Sequence, residues 1–226
     1  MSFHEYLKNT TEDDRKFLLL APGIQQALTG QISRPRYLAF LTQAWHHVRE
    51  TVPLMMGAGA RLPRRLDWLR AEMIHYAEEE VGHDDWILSD IHHAGGDSVA
   101  AAASRPNITT NAMIAQAWDV VSRRNPVGFF GMVYVLEGTS VALALQAADR
   151  IQSTLALPNN AMTYLRSHGA LDQEHIHHLA GILDRLDLQE DRDAVVDCAR
   201  SIFWLYGWMF RELECVPWSW KAAVCC

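Results

Sequence analysis

The segment 165–178, LRSHGALDQEHIHH, places His168, Asp172 and His175 at i, i+4 and i+7. At about 100° per residue these three fall on one helical face, so two imidazoles and a carboxylate project together. A second cluster, Glu79-Glu80-Val81-Gly82-His83, lies well upstream and repeats the acid-x-x-His spacing of Asp172-x-x-His175. Between them Glu137 stands as a lone acid in the apolar run from Val127 to Ala147. A buried carboxylate without a partner is costly, and a metal ion is the partner this pattern suggests. One acid-x-x-His is commonplace on a helix surface. Two copies on separate helices, with an isolated Glu on an apolar helix between them, match the way helical bundles hold paired metal ions. Carboxylates and imidazoles without thiolate favour iron, with manganese or zinc as substitutes.

The candidate ligands are therefore Glu80, His83, Glu137, His168, Asp172 and His175. Glu79 also faces His83, at i+4, and is an alternative to Glu80. Tyr76 and Tyr134, each about one turn from a ligand, are candidates for a supporting role around the metals. His92, His93, His177 and His178 read as surface residues. His46 and His47 lie on a core-lining helix and stand at most behind the ligands.

Nearly every segment that positions these residues reads as helix; Asn-Gly and Asp-Gly hairpin turns do not occur. Two short helices, or one broken helix, are expected over 11–28. A helix over 34–57 follows, capped by Ser33 with Pro35 in its first turn and kinked at Pro53. The stretch 64–94 reads as one helix containing Gly82, which suggests a close backbone approach there. Ser98 to Ser104 leads to a break at Arg105-Pro106-Asn107, and Thr110 or Asn111 caps the next helix, over 112–123. The most apolar helix, over 127–154, carries Gly128, Gly131 and Gly138 and is expected to be buried and closely approached. Helices over 161–186 and 191–213 complete one all-α domain spanning 1–226, with an irregular tail from about 214. No apolar run is expected to serve as a membrane span.

The formal net charge of −7 and the absence of a Lys/Arg stripe argue against nucleic acid. The four cysteines, three of them near the C-terminus, form no CxxC and read as reduced thiols of a cytoplasmic protein. Apolar residues around Tyr37–Trp45, Met132–Val133 and Trp204–Trp208 are expected to line a pocket, with Arg123, Arg124 and Arg211 as the cations that could reach an anionic substrate. The aromatic residues of 203–210 fall on both sides of their helix, which suits a core combined with a homodimer interface.

The order EExxH, a lone Glu in a glycine-containing apolar helix, then HxxxDxxH resembles the haem-oxygenase-like diiron oxidases and oxygenases. They share the helical fold of haem oxygenase, thiaminase II and pyrroloquinoline-quinone synthase. The resemblance covers roughly 30–213. It implies a single-domain bundle of seven or eight helices. It also implies two Fe(II)/Fe(III) ions on the six residues named above, and O2-dependent oxidation of a small organic substrate. A thiaminase II would need a nucleophilic cysteine near the central helix, and none occurs before Cys198. A haem oxygenase would need a histidine on its first helix, where only His4 is found. Two other readings compete. A ferritin-like diiron protein would recruit Glu50 and give His168 no role. A non-catalytic binding protein on the same scaffold would need no iron.

Overall fold

The computed structural model describes residues 1–213, except the side chains of 170–174. Three short helices open the chain: α1 (Phe3–Thr10), α2 (Glu12–Leu19) and α3 (Pro22–Thr29). Then come α4 (Arg34–Val48), α5 (Thr51–Arg61), α6 (Asp67–Glu80), α7 (His83–His93) and α8 (Ser98–Ala103). The chain continues through α9 (Ile108–Arg123), α10 (Phe129–Leu155), α11 (Thr163–Asp184) and α12 (Gln189–Glu212). Among the described residues there is no strand, so the architecture is all-α.

The helices are shorter and more numerous than periodicity predicts, because several long apolar patterns are interrupted. The helix expected over 34–57 breaks at Arg49 and Glu50 rather than kinking at Pro53, which instead sits in the first turn of α5. There it needs no intrahelical acceptor, so the ring costs nothing. The helix expected over 64–94 divides at Val81-Gly82, where Gly82 adopts φ 87°. A Cβ at Gly82 would meet nothing within 4 Å, so glycine is required for its left-handed backbone and not for a close approach. The cap of α9 is Asn107, whose side chain accepts from Thr110 N at 2.7 Å, and not Thr110 or Asn111. A cap three residues earlier lengthens the helix by a turn and buries Thr110. α1 and α8 lie where no helix is expected. α1 owes its start to a capping box: Ser2 accepts from Glu5 N at 3.2 Å and Glu5 accepts from Ser2 N at 3.0 Å.

α10 is the central element, packed by α3, α9, α11 and α12. Phe129, Phe130, Met132, Val135, Ala144, Ala148 and Ile151 are buried along it. The stretch Pro126–Leu155 is in fact long and apolar enough to cross a membrane by composition, correcting the expectation above. Its most apolar window is 61% buried by the surrounding helices, so its apolarity serves the core. Contact between α10 and α12 is backbone to backbone. A Cβ on Gly131 would collide with Val195 O and lie 2.7 Å from Ala199 N, whereas one on Gly138 would meet nothing within 4 Å. α12 buries Phe203, Tyr206 and Phe210, while Trp204 and Trp208 stay half exposed beside Phe17.

The two glycines thus predict opposite outcomes. Gly131→Ala forces α12 outward and should lower stability by about 1–3 kcal/mol, whereas Gly138→Ala should raise it by about 0.5–1 kcal/mol. Urea unfolding of both variants, followed by far-UV circular dichroism, checks the contrast.

Candidate metal centre

Glu80 ends α6 and His83 begins α7, on either side of the Gly82 turn. The acid-x-x-His pair is therefore not one helical turn, as the spacing suggested, but two helix ends brought face to face. Glu80 Oε2 lies 3.1 Å from His83 Nδ1. A carboxylate can only accept, so Nδ1 donates in this arrangement and Nε2 is the nitrogen left for another partner. Trp86 stacks on the His83 ring at 4.1 Å, and the His168 ring meets its edge at 4.8 Å.

His168 is oriented by its own helix. Its Nδ1–H donates to Tyr164 O at 3.1 Å, which leaves Nε2 as the nitrogen that could bind a metal. Glu80, His83 and His168 each offer a ligand atom, and the three atoms lie within 4.8 Å of one another. Bonds of about 2.0–2.2 Å hold two ligands of one ion no more than about 4.4 Å apart, so small side-chain rotations close this set on a metal. Burial alone would push the Glu80 carboxyl up. The hydrogen bond from His83 and the charges of His168, His83 and His175 outweigh it and hold the group below its usual value.

Two further candidates, Glu137 and His175, also come together. Glu137 is buried, and its Oε1 lies 4.0 Å from His175 Nδ1. His175 Nε2 in turn meets Glu79 Oε2 at 3.2 Å. Glu79 and Glu80 are thus not rivals for one histidine, since each reaches a different one. Consecutive residues on a helix point about 100° apart, which is how neighbouring acids at the end of α6 reach different histidines. The side chain of Asp172 lies outside the described residues. Tyr76 is close to the centre: its ring packs at 5.7 Å from His175 and its hydroxyl donates to His175 O at 3.3 Å. Tyr134 is not. Its hydroxyl accepts from Arg15 at 3.4 Å, and its ring faces His4 and Phe203.

One buried carboxylate joins the helices that carry these ligands. Asp90, fully buried on α7, accepts from Thr163 N at 3.0 Å and Tyr164 N at 2.8 Å. These are the first backbone donors of α11, which has no side-chain cap of its own. Burial pushes the Asp90 carboxyl up, against the opposing pull of the Tyr164 and Thr163 bonds.

Glu80, Glu137 and His168 also form part of the wall of a cavity of about 140 Å³. The rest of that wall is mainly apolar, from Ile24, Phe40, Met132, Val133, Ala147 and Phe210. As expected, it draws on residues near Tyr37–Trp45, Met132–Val133 and Trp204–Trp208. None of Arg123, Arg124 and Arg211 lines it; the first two pair with Asp119, and Arg211 bonds Gly207 O and Phe17 O. His47 does line it, a placement the sequence reading did not assign. The available signal was its position at i+7 from Phe40 on the buried stripe of α4. His46 turns away and bonds Ser104 Oγ at 3.0 Å. His178 bonds Glu72 and His93 bonds Ser89, while His92 and His177 are exposed.

Residues 38–207 match the family model described as iron-containing redox enzyme. The chain belongs to this family. Its fold is that of the haem-oxygenase-like proteins. It is similar to a domain of unknown function with a haem oxygenase-like fold from Shewanella denitrificans, at 24% identity and a TM-score of 0.82, over 99% of this chain and 94% of that one. A TenA homologue from P. horikoshii matches at 11% identity and a TM-score of 0.78, over 94% and 98% of the two chains. Haem oxygenase-1 from the cyanobacterium Synechocystis, solved with haem, matches at 12% identity and a TM-score of 0.74, over 95% and 93%. No curated protein is recognisably similar in sequence.

Two outcomes follow from the buried polar groups. Asp90→Ala leaves two backbone donors of α11 without an acceptor. It should lower stability by about 2–4 kcal/mol and reduce iron retention, with Asp90→Asn recovering part of both in parallel unfolding and metal assays. The second concerns acid. Burial holds His46 down at about 4 and His47 at about 3, against 6.5 when unfolded. Unfolding therefore takes up protons between these values, so their contribution to stability is complete above pH 6.5 and is lost as pH falls through this window. Urea midpoints of the metal-free protein should drop across it, by up to about 1.4 kcal/mol per pH unit for each histidine. A His46→Asn variant should show a shallower slope.

Proposed function

We propose that the protein is an O2-dependent, non-haem diiron oxidase or oxygenase acting on a small organic substrate. The observation that carries this reading is the convergence of Glu80, His83 and His168 beside an apolar cavity. These three would hold one ion. Glu137 and His175, with Glu79 or Asp172, would hold the other. Iron at these residues would supply the activation of dioxygen. The protein's own part is positional. His168 keeps a fixed tautomer through Tyr164 O, Trp86 braces the His83 ring, and Tyr76 ties α6 to the backbone of α11. The apolar wall excludes water from the substrate, which strengthens every electrostatic contact made there.

Other readings find less support. A ferritin-like centre would need Glu50, but that carboxylate accepts from Trp118 Nε1 at 3.1 Å and pairs with Arg49. A thiaminase-type nucleophile would need a cysteine on the cavity wall. The one cysteine among the described residues, Cys198, sits elsewhere, with its thiol pushed up to about 12 by burial. His4 packs on Tyr134 and does not line the cavity.

Anaerobic Fe(II) titration with elemental analysis tests the assignment. Two irons per chain are expected for the native protein, a loss of at least one in His168→Ala, and no change in Glu50→Ala. Retention of both irons by His168→Ala, together with loss in Glu50→Ala, would overturn it in favour of the ferritin-like arrangement.

A further inference from the structure

His47 is 1% exposed, and neither of its ring nitrogens has a hydrogen-bond partner among the described residues. A buried imidazole in that state is unusual, because donors and acceptors removed from water are ordinarily paired. The neighbouring His46 shows the normal case, bonded to Ser104 Oγ at 3.0 Å. His47 lies on the inner side of α4 instead. It lines the cavity, and its ring stands edge-on to Tyr206 at 5.7 Å between centroids. On the facing helix, α10, the buried Ser140 Oγ lines the same cavity and also lacks a partner.

The rest of the wall narrows what these two groups could recognise. Among the described residues no lysine or arginine lines the cavity, while two carboxylates, Glu80 and Glu137, do. In the metal-free protein an anionic group in this cavity would meet no Lys or Arg counter-charge and two like charges. A group that both donates and accepts finds matching partners, since a neutral imidazole has one N–H and one lone pair and a serine hydroxyl can play either part. Burial pushes the pKa of the His47 ring down to about 3, so the ring is neutral.

We propose that His47 and Ser140 bind the uncharged polar group of an otherwise apolar substrate, such as an alcohol hydroxyl, whose hydrocarbon body fills the cavity between α3, α4, α10 and α12. His47 is then a specificity residue for the reaction proposed above. The proposal rests on that reading only for what happens to the substrate once bound; the recognition itself needs no metal.

Calorimetric titration of the full-length, metal-free protein with 1-octanol, octanoate and octane tests it. Octanol should bind at least about tenfold more tightly than octanoate or octane. His47→Leu should lose about tenfold in octanol affinity, and His47→Gln should restore most of it. Circular dichroism melting verifies that each variant is folded. If His47→Leu is not folded, Ser140→Ala, expected to weaken octanol and leave octane unchanged, takes its place. Equal or tighter binding of octanoate, or unchanged octanol affinity in a folded His47→Leu or Ser140→Ala protein, would overturn the proposal. Iron stoichiometry measured on the same preparations keeps the two ideas separate. A metal centre that fails leaves the octanol result standing, and a His47 variant that loses octanol while keeping its iron supports recognition alone.

Discussion

The Asp90 carboxylate is the constraint on which the geometry of the centre depends. It lies on α7, whose first residue is His83, and grips the first turn of α11, which carries His168 one turn further on. The same turn presents Tyr164 O to the His168 ring. One buried carboxylate thus sets the separation of the two helices that carry His83 and His168 and, through the backbone, the orientation of an imidazole. Hydrogen bonds to a charged acceptor in a dry interior are short and strong, which is why a single residue suffices.

Around that link the structure divides its work between two kinds of packing. Where α10 meets α12 the backbones touch at Gly131, and no space remains for a side chain. Elsewhere along its length α10 faces the cavity with Met132, Val133, Leu136 and Ala147. Tight contact at one point anchors the helix so that it can leave room at another. Glu137 sits where these two regimes meet, on the most apolar helix of the chain and within reach of His175.

Much of this was legible in the amino-acid sequence because helical periodicity is a geometric fact about spacing. The all-α class and the approximate spans of α10, α11 and α12 follow from it, while the glycines of α10 signalled a close neighbour that the structure places at Gly128 and Gly131 but not at Gly138. The gathering of Glu80, His83 and His168 was signalled by residue type on separate segments, although the turn at Gly82, and not helical spacing, brings the first two together. Breaks were harder to read. Gly82 has the same neighbours whether it continues a helix or turns out of it, and only its φ of 87° separates the cases. Orientation within a stripe was harder still. Tyr134 precedes Glu137 by three residues, but the remaining 60° of rotation is enough, on a helix surrounded by neighbours, to face it toward Arg15. His46 and His47 are adjacent in sequence, and only packing tells which of them turns inward.

The pairing of Glu80 with His83 and of Glu79 with His175 bears on how an ion would enter such a site. Each carboxylate already faces an imidazole nitrogen, and the contact depends on a proton held between them. An ion bound by these residues would displace both the contacts and the protons, so proton and metal would compete for the same atoms. Occupancy would then follow the acidity of the surroundings as well as the supply of metal.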